Sequence, residues 1–124
     1  MLRRPLAVGR FGAPFALVMT VMTALVAACA SPTLPLPPPE APSQAIADST
    51  HVRLVAGCGG AESFALIAIR NKNPTIPADE VGVLSQANGC GAWDATVLAQ
   101  RGDVLEITQQ FGLTVSIPLD VQVR

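Results

Sequence analysis

The sequence predicts an all-β sandwich of about six to seven strands, and three observations predict it. After about residue 50 the apolar residues recur with period two rather than 3.6. Clusters of Gly, Asn and Asp punctuate the chain between runs of six to eight residues. No ten-residue amphipathic helix pattern and no long internal repeat occurs there. The chain has 124 residues, enough for one small domain. It is 50% hydrophobic but only 14% charged and 4% aromatic, and much of the apolar excess is concentrated in residues 11–28. The remainder disfavours a large enzyme with a deep pocket.

The amino terminus begins Met1-Leu2-Arg3-Arg4, with a further basic residue at Arg10. Phe11 to Ala28 (FGAPFALVMTVMTALVAA) then runs for 18 residues without a charge. A basic start, an apolar core and a small-residue end form a secretory signal, whose positive end stays in the cytoplasm. Eighteen apolar residues are also just long enough for an uncleaved anchor helix, which Pro14 disfavours. Pro5-Leu6-Ala7 after the arginine pair fits twin-arginine export poorly, so the pair is read as ordinary signal charge. Val26-Ala27-Ala28-Cys29 resembles the lipobox of bacterial lipoproteins: an aliphatic residue, two small residues and a cysteine. The resemblance implies signal-peptidase cleavage between Ala28 and Cys29. It also implies a diacylglyceryl group on the Cys29 sulfur, with acylation such as palmitate on the new amino group. Ala30 stands where an Asp would favour inner-membrane retention, so the same resemblance points to the outer membrane. One acyl chain gives reversible attachment at about 0.8 kcal/mol per buried methylene, whereas two or three hold durably.

Residues 29–48 are expected to be the lipidated cysteine and a linker. Six of the eleven prolines lie between Pro32 and Pro42. Proline fixes its own φ and restricts its predecessor, so this run reads as an extended spacer. At about 3.1 Å per residue, residues 30–48 would reach on the order of 60 Å. A PxxP pattern is present, but it is read as part of the spacer.

Residues 49–124 are expected to fold. His51 to Ala56 puts Val52, Leu54 and Ala56 on one face. Ser63 to Arg70 (SFALIAIR) is apolar on both faces, as a strand covered on both sides would be. Val81 to Ala87 is a weaker strand. Trp93, Ala95, Val97 and Ala99 share a face of the next, which makes Trp93 a core residue rather than a sugar-stacking one. Val104 to Gln110 offers Leu105, Ile107 and Gln109 on one side. Val115, Ile117, Leu119, Val121 and Val123 alternate with polar residues and Pro118, which demands an edge or a bulge. Turns are expected at residues 57–60, 71–77, 88–91, 101–103 and 111–113.

Three stretches, AESFALIAIRN, VGVLSQANGCGAWDATVLAQRGDVLEITQQ and VSIPLDVQV, together resemble the bacterial Ig-like sandwich domains of exported proteins. The matching positions are Asn71, Gly91, Trp93, Ala95, Val97, Ala99, Gly102 and Asp103. Cys90 departs from the pattern, where such domains more often carry Asp or Asn in the turn.

With Cys29 assigned to lipid, Cys58 and Cys90 remain as an even pair in an oxidising compartment. Both sit among glycines, which free their turns to reach disulfide geometry. The bridge would close a loop of about 33 residues and stabilise by roughly 3 to 4 kcal/mol. Free thiols or a metal site are the alternatives, and His51 lacks the ligand spacing for the latter.

His51 reads as a solvated or capping histidine, and no nucleophile, zinc or phosphate-loop motif accompanies it. Asp79, Glu80 and Asp94 lack the regular spacing of calcium ligands. After cleavage nine carboxylates face five bases (Arg53, Arg70, Lys72, Arg101, Arg124), a net charge of −4. That balance disfavours nucleic acid and offers phospholipid headgroups no basic patch, leaving the lipid to hold the domain at the membrane. The expectation is a non-enzymatic, cofactor-free and metal-free envelope lipoprotein. Its Ig-like domain would serve structural or protein contacts with an envelope partner. The alternative is a carbohydrate- or peptidoglycan-binding module, which would need an exposed platform from Phe64, Trp93 or Phe111.

Overall fold

The computed structural model describes residues 34–124. Eight strands build two antiparallel sheets, and no helix occurs among the described residues. They are β1 (Ser43–Ile46), β2 (His51–Ala56), β3 (Leu66–Asn71), β4 (Gly82–Gln86), β5 (Trp93–Leu98), β6 (Val104–Phe111), β7 (Thr114–Val115) and β8 (Leu119–Gln122). One sheet has the order β1-β2-β5, and the other runs β4-β3-β6, with β7 and β8 both paired to β6. The molecule is therefore a β-sandwich. Its β2–β5 pair and its β3–β6–β8 trio repeat the B–E and C–F–G pairings of Ig-like domains. The fourth strand pairs with β3 rather than with β5.

The core follows the period-two pattern. Val52, Leu54 and Ala56 from β2 and Trp93, Ala95 and Val97 from β5 face inward from one sheet. Ile67 and Ile69 from β3, Leu105 and Ile107 from β6, and Val121 meet them from the other. Such alternation buries one face of each sheet and leaves the other to solvent.

Three strand expectations need correction. The fold begins before Ser49, inside the proline-rich stretch. β1 pairs with β2 from Ser43↔Val55 to Ile46↔Val52. Upstream of it Pro39 and Pro42 are buried, the Glu40 N–H donates to the Gly60 carbonyl (2.9 Å), and Gln109 Nε2 donates to the Pro37 carbonyl (2.7 Å). Proline excludes ladder hydrogen bonds only at its own nitrogen, and residues 43–46 contain none, so the open edge of β2 recruits them.

The second correction concerns β3, which is central but covered on one face only. Ile67 and Ile69 are buried, whereas Leu66 is 38% exposed on the outer face.

The third concerns the last apolar stripe. β6 pairs with β7 through Gln110↔Val115 but with β8 through Ile107↔Leu119, so the partner strand carries one extra residue between them. This is a β-bulge at residues 116–118, as Pro118 demands. A one-residue insertion turns the alternation over. Val121 and Val123 therefore point inward, while Val115 and Ile117 are exposed and Ser116 is buried instead.

Candidate functional site

The two ends of the sandwich differ in chemistry. One carries the residue 57–64 and 88–92 turns and the β6–β7 hairpin. Its centre is the Cys58–Cys90 disulfide, with Cα atoms 4.8 Å apart. Backbone hydrogen bonds lace the same two turns together: Gly59 N–H to the Cys90 carbonyl (2.7 Å) and Ala61 N–H to the Gly91 carbonyl (3.0 Å). Asn88 organises the second turn, its Oδ1 accepting from the Cys90 and Ala92 N–H groups, each at 3.0 Å. This is the local Asx capping that makes Asn a turn residue. Phe64 sits beside it with φ +60°, its N–H donating to the Asn88 carbonyl and its ring lying over Gly89.

Gln109 ties this end to the chain that enters it. It is 2% exposed, and besides donating to Pro37 its Oε1 accepts from the Glu62 N–H (2.7 Å). Sequence reasoning places Gln109 on the inward face but misses this role. The available signal was a polar residue on an apolar face, since a buried amide must find partners.

The opposite end is polar. Asn71 is buried, and its Nδ2 donates to the Leu98 carbonyl and to Asp103 Oδ2 (both 2.9 Å). Asp103 also accepts from the Gln100 N–H and from Asn73 Nδ2 (both 2.9 Å). Burial pushes the Asp103 carboxyl up, but the hydrogen bonds from Gln100, Asn71 and Asn73 outweigh it and hold it below the usual range. A depressed carboxylate stabilises fully above its unfolded pKa near 3.8, and that contribution is lost as pH falls through the lower folded value. Urea midpoints should therefore decline below about pH 4. Asp103→Ala should cost about 1–3 kcal/mol near neutrality and flatten that acid limb, which denaturation at pH 7 and pH 3 checks. An unchanged acid limb would mean that Asp103 is not its source.

His51 belongs to a turn that Asp48 caps. Asp48 Oδ1 accepts from the Thr50 and His51 N–H groups (both 2.8 Å) and lies 3.0 Å from His51 Nδ1. The Thr50 backbone hydrogen bond, then the His51 side chain, lower the Asp48 carboxyl to about 2. Asp94 pairs with Arg53 across β2 and β5, and Lys72 reaches Asp120 at 2.8 Å. Asp79 and Glu80 stay in the β3–β4 loop, so the three carboxylates considered for calcium do not converge. Trp93 is 4% exposed, with its Nε1 lacking a hydrogen-bond partner, and is a core residue. Phe64 and Phe111 are the exposed aromatics of the described residues. An open groove of about 520 Å³ runs between β1 and β8, where Gln44 Nε2 donates to the Gln122 carbonyl (2.9 Å) and Asp120 and Arg124 bring the only charges. The cleavage and lipidation positions Ala28 and Cys29 lie outside the described residues.

Comparison of the chain with protein-family models, with curated proteins and with solved structures finds no match.

Proposed function

We propose that the protein is a lipid-anchored envelope protein whose Ig-like sandwich works without catalysis, through structural or protein contacts. The observation that carries the reading is Val26-Ala27-Ala28-Cys29 at the end of an uncharged 18-residue run behind a basic terminus. The Cys58–Cys90 bridge supports it, because disulfides persist in oxidising compartments such as the periplasm. Ala30 supports an outer-membrane destination. The burial of Trp93 weighs against the carbohydrate-binding alternative, since a shielded indole stacks on no sugar. The partner is an envelope protein, which crosslinking pull-down from envelope membranes would identify.

Labelling cells with radioactive palmitate tests the anchor. The native chain should take up label and sediment with membranes, and a density gradient should place it in the outer-membrane fraction. Cys29→Ser should lose both label and sedimentation. Equal labelling and unchanged fractionation of the variant would overturn the reading.

A further inference from the structure

We infer that the disulfide end of the sandwich sits in the interfacial layer of a bilayer, with the β6–β7 hairpin tip inserted among the lipids. This rests on the lipid anchor proposed at Cys29, and it adds a surface contact that composition alone gave no reason to expect.

The first observation is the clustering of exposed apolar groups. Leu113 at the hairpin tip is 100% exposed, with Phe111 at 52% beside it. Val115 and Ile117 follow, turned outward by the bulge, and Phe64 is 65% exposed at the same end. On the outer face below them, Leu66 and Val115 flank the uncharged Gln110 across β3, β6 and β7. Single exposed apolar residues are ordinary, whereas a contiguous patch marks a binding surface.

Charge is segregated in the complementary sense. From Ile107 to Leu119 the chain carries no charged residue. Of the fourteen acidic and basic residues in the described chain, Glu40 and Glu62 lie at this end, and Asp94, one position in from it on β5, is neutralised by Arg53. The others lie along the sheets, as in the Arg70–Glu106 and Lys72–Asp120 pairs, or at the opposite end with Asp103 and Arg101.

The third observation is where the tether arrives. Among the described residues the chain is first hydrogen-bonded to the sandwich at Pro37, by Gln109, two residues from Phe111. From Cys29 to Pro37, eight residues at about 3.1 Å each span roughly 25 Å. A lipidated Cys29 would therefore tether the sandwich to the membrane at this end. Apolar and aromatic side chains on an uncharged tip suit the headgroup–acyl boundary. A lipid surface accepts a projecting hairpin, whereas a stable pairing of two copies needs about 800 Å² of complementary surface per partner. The contact depends on no cationic patch, so it should be insensitive to salt.

The test uses the lipidated full chain in phosphatidylcholine vesicles, with and without a brominated acyl chain that quenches indole at short range. The native chain, whose Trp93 is buried at the same end, is measured in both lipids and its signal subtracted as the baseline. Leu113→Trp should lose at least half of its added fluorescence to the bromolipid, in low and high salt alike. Arg101→Trp, in the turn at the opposite end, should lose none. Both sites are exposed, so neither substitution disturbs the core. If the chain floats with the vesicles and the indole at position 113 is unquenched, this inference falls and the anchor stands. If the chain carries no lipid and fails to float, both fall. An indole at position 113 shielded in proportion to protein concentration, without bromine quenching, would assign the patch to a second copy and overturn the lipid contact.

Discussion

Breaking the Cys58–Cys90 bridge is expected to lower the stability of the domain by about 4 kcal/mol, the value for a closed loop of about 33 residues. Cys58→Ser with Cys90→Ser, or reductant on the native chain, should show it as a lower urea midpoint. The bridged turns already meet through Gly59 N–H to Cys90 O and Ala61 N–H to Gly91 O. The bridge therefore joins groups that the fold itself brings together, and its effect falls on the unfolded chain, which loses freedom. Small domains hold only about 5–15 kcal/mol in total, so the loss removes a large share. Intact mass with and without reductant checks the bond itself. Two free thiols in protein recovered from the envelope would defeat the assignment, and a shift well under 1 kcal/mol would defeat the energetic argument.

Gly91→Ala is expected to cost about 2–4 kcal/mol. Gly91 has φ +84°, and a Cβ there would stand 2.1 Å from the Ala61 carbonyl oxygen. Left-handed backbone costs a non-glycine residue roughly 1–2 kcal/mol. The clash is with main chain, so relief requires moving Ala61 and giving up its hydrogen bond to the Gly91 carbonyl, roughly another 1 kcal/mol. Gly102→Ala separates the two causes. Gly102 has φ +94° with nothing within 4 Å of its missing Cβ, so only the conformational cost applies. Denaturant midpoints should rank native, then Gly102→Ala, then Gly91→Ala. Equal losses would mean that the two turns do not approach as closely as described.

The strands were legible wherever a single strand owns its pattern. His51–Ala56 falls on the residues that its alternation indicates, β5 and β6 differ from expectation by a residue at one end, and β4 by a residue at each end. β1 was not legible, because Ser43–Ile46 has no apolar alternation and acquires its strand character from the edge of β2. The last stripe misled for a related reason. Five residues of perfect alternation do not reveal that the partner strand stays in step for only part of the run, and a bulge reassigns Val115 and Ile117 to the outside. The disulfide could be read from the pairing of Cys58 with Cys90 once Cys29 was set aside on its resemblance to a lipobox cysteine. The Asn71–Asp103–Asn73 cluster and the Gln109 bonds could not, since each joins residues about 30 or more positions apart.

The early entry of the chain into the fold has a consequence for shedding. An endopeptidase needs several consecutive residues free of hydrogen bonds and able to extend into its cleft. Pro37, Glu40 and the whole of β1 are occupied by contacts to the body of the domain. For the lipid-anchored protein proposed above, cleavage between Pro37 and the end of β1 is thereby disfavoured, which would protect the domain against clipping at its base.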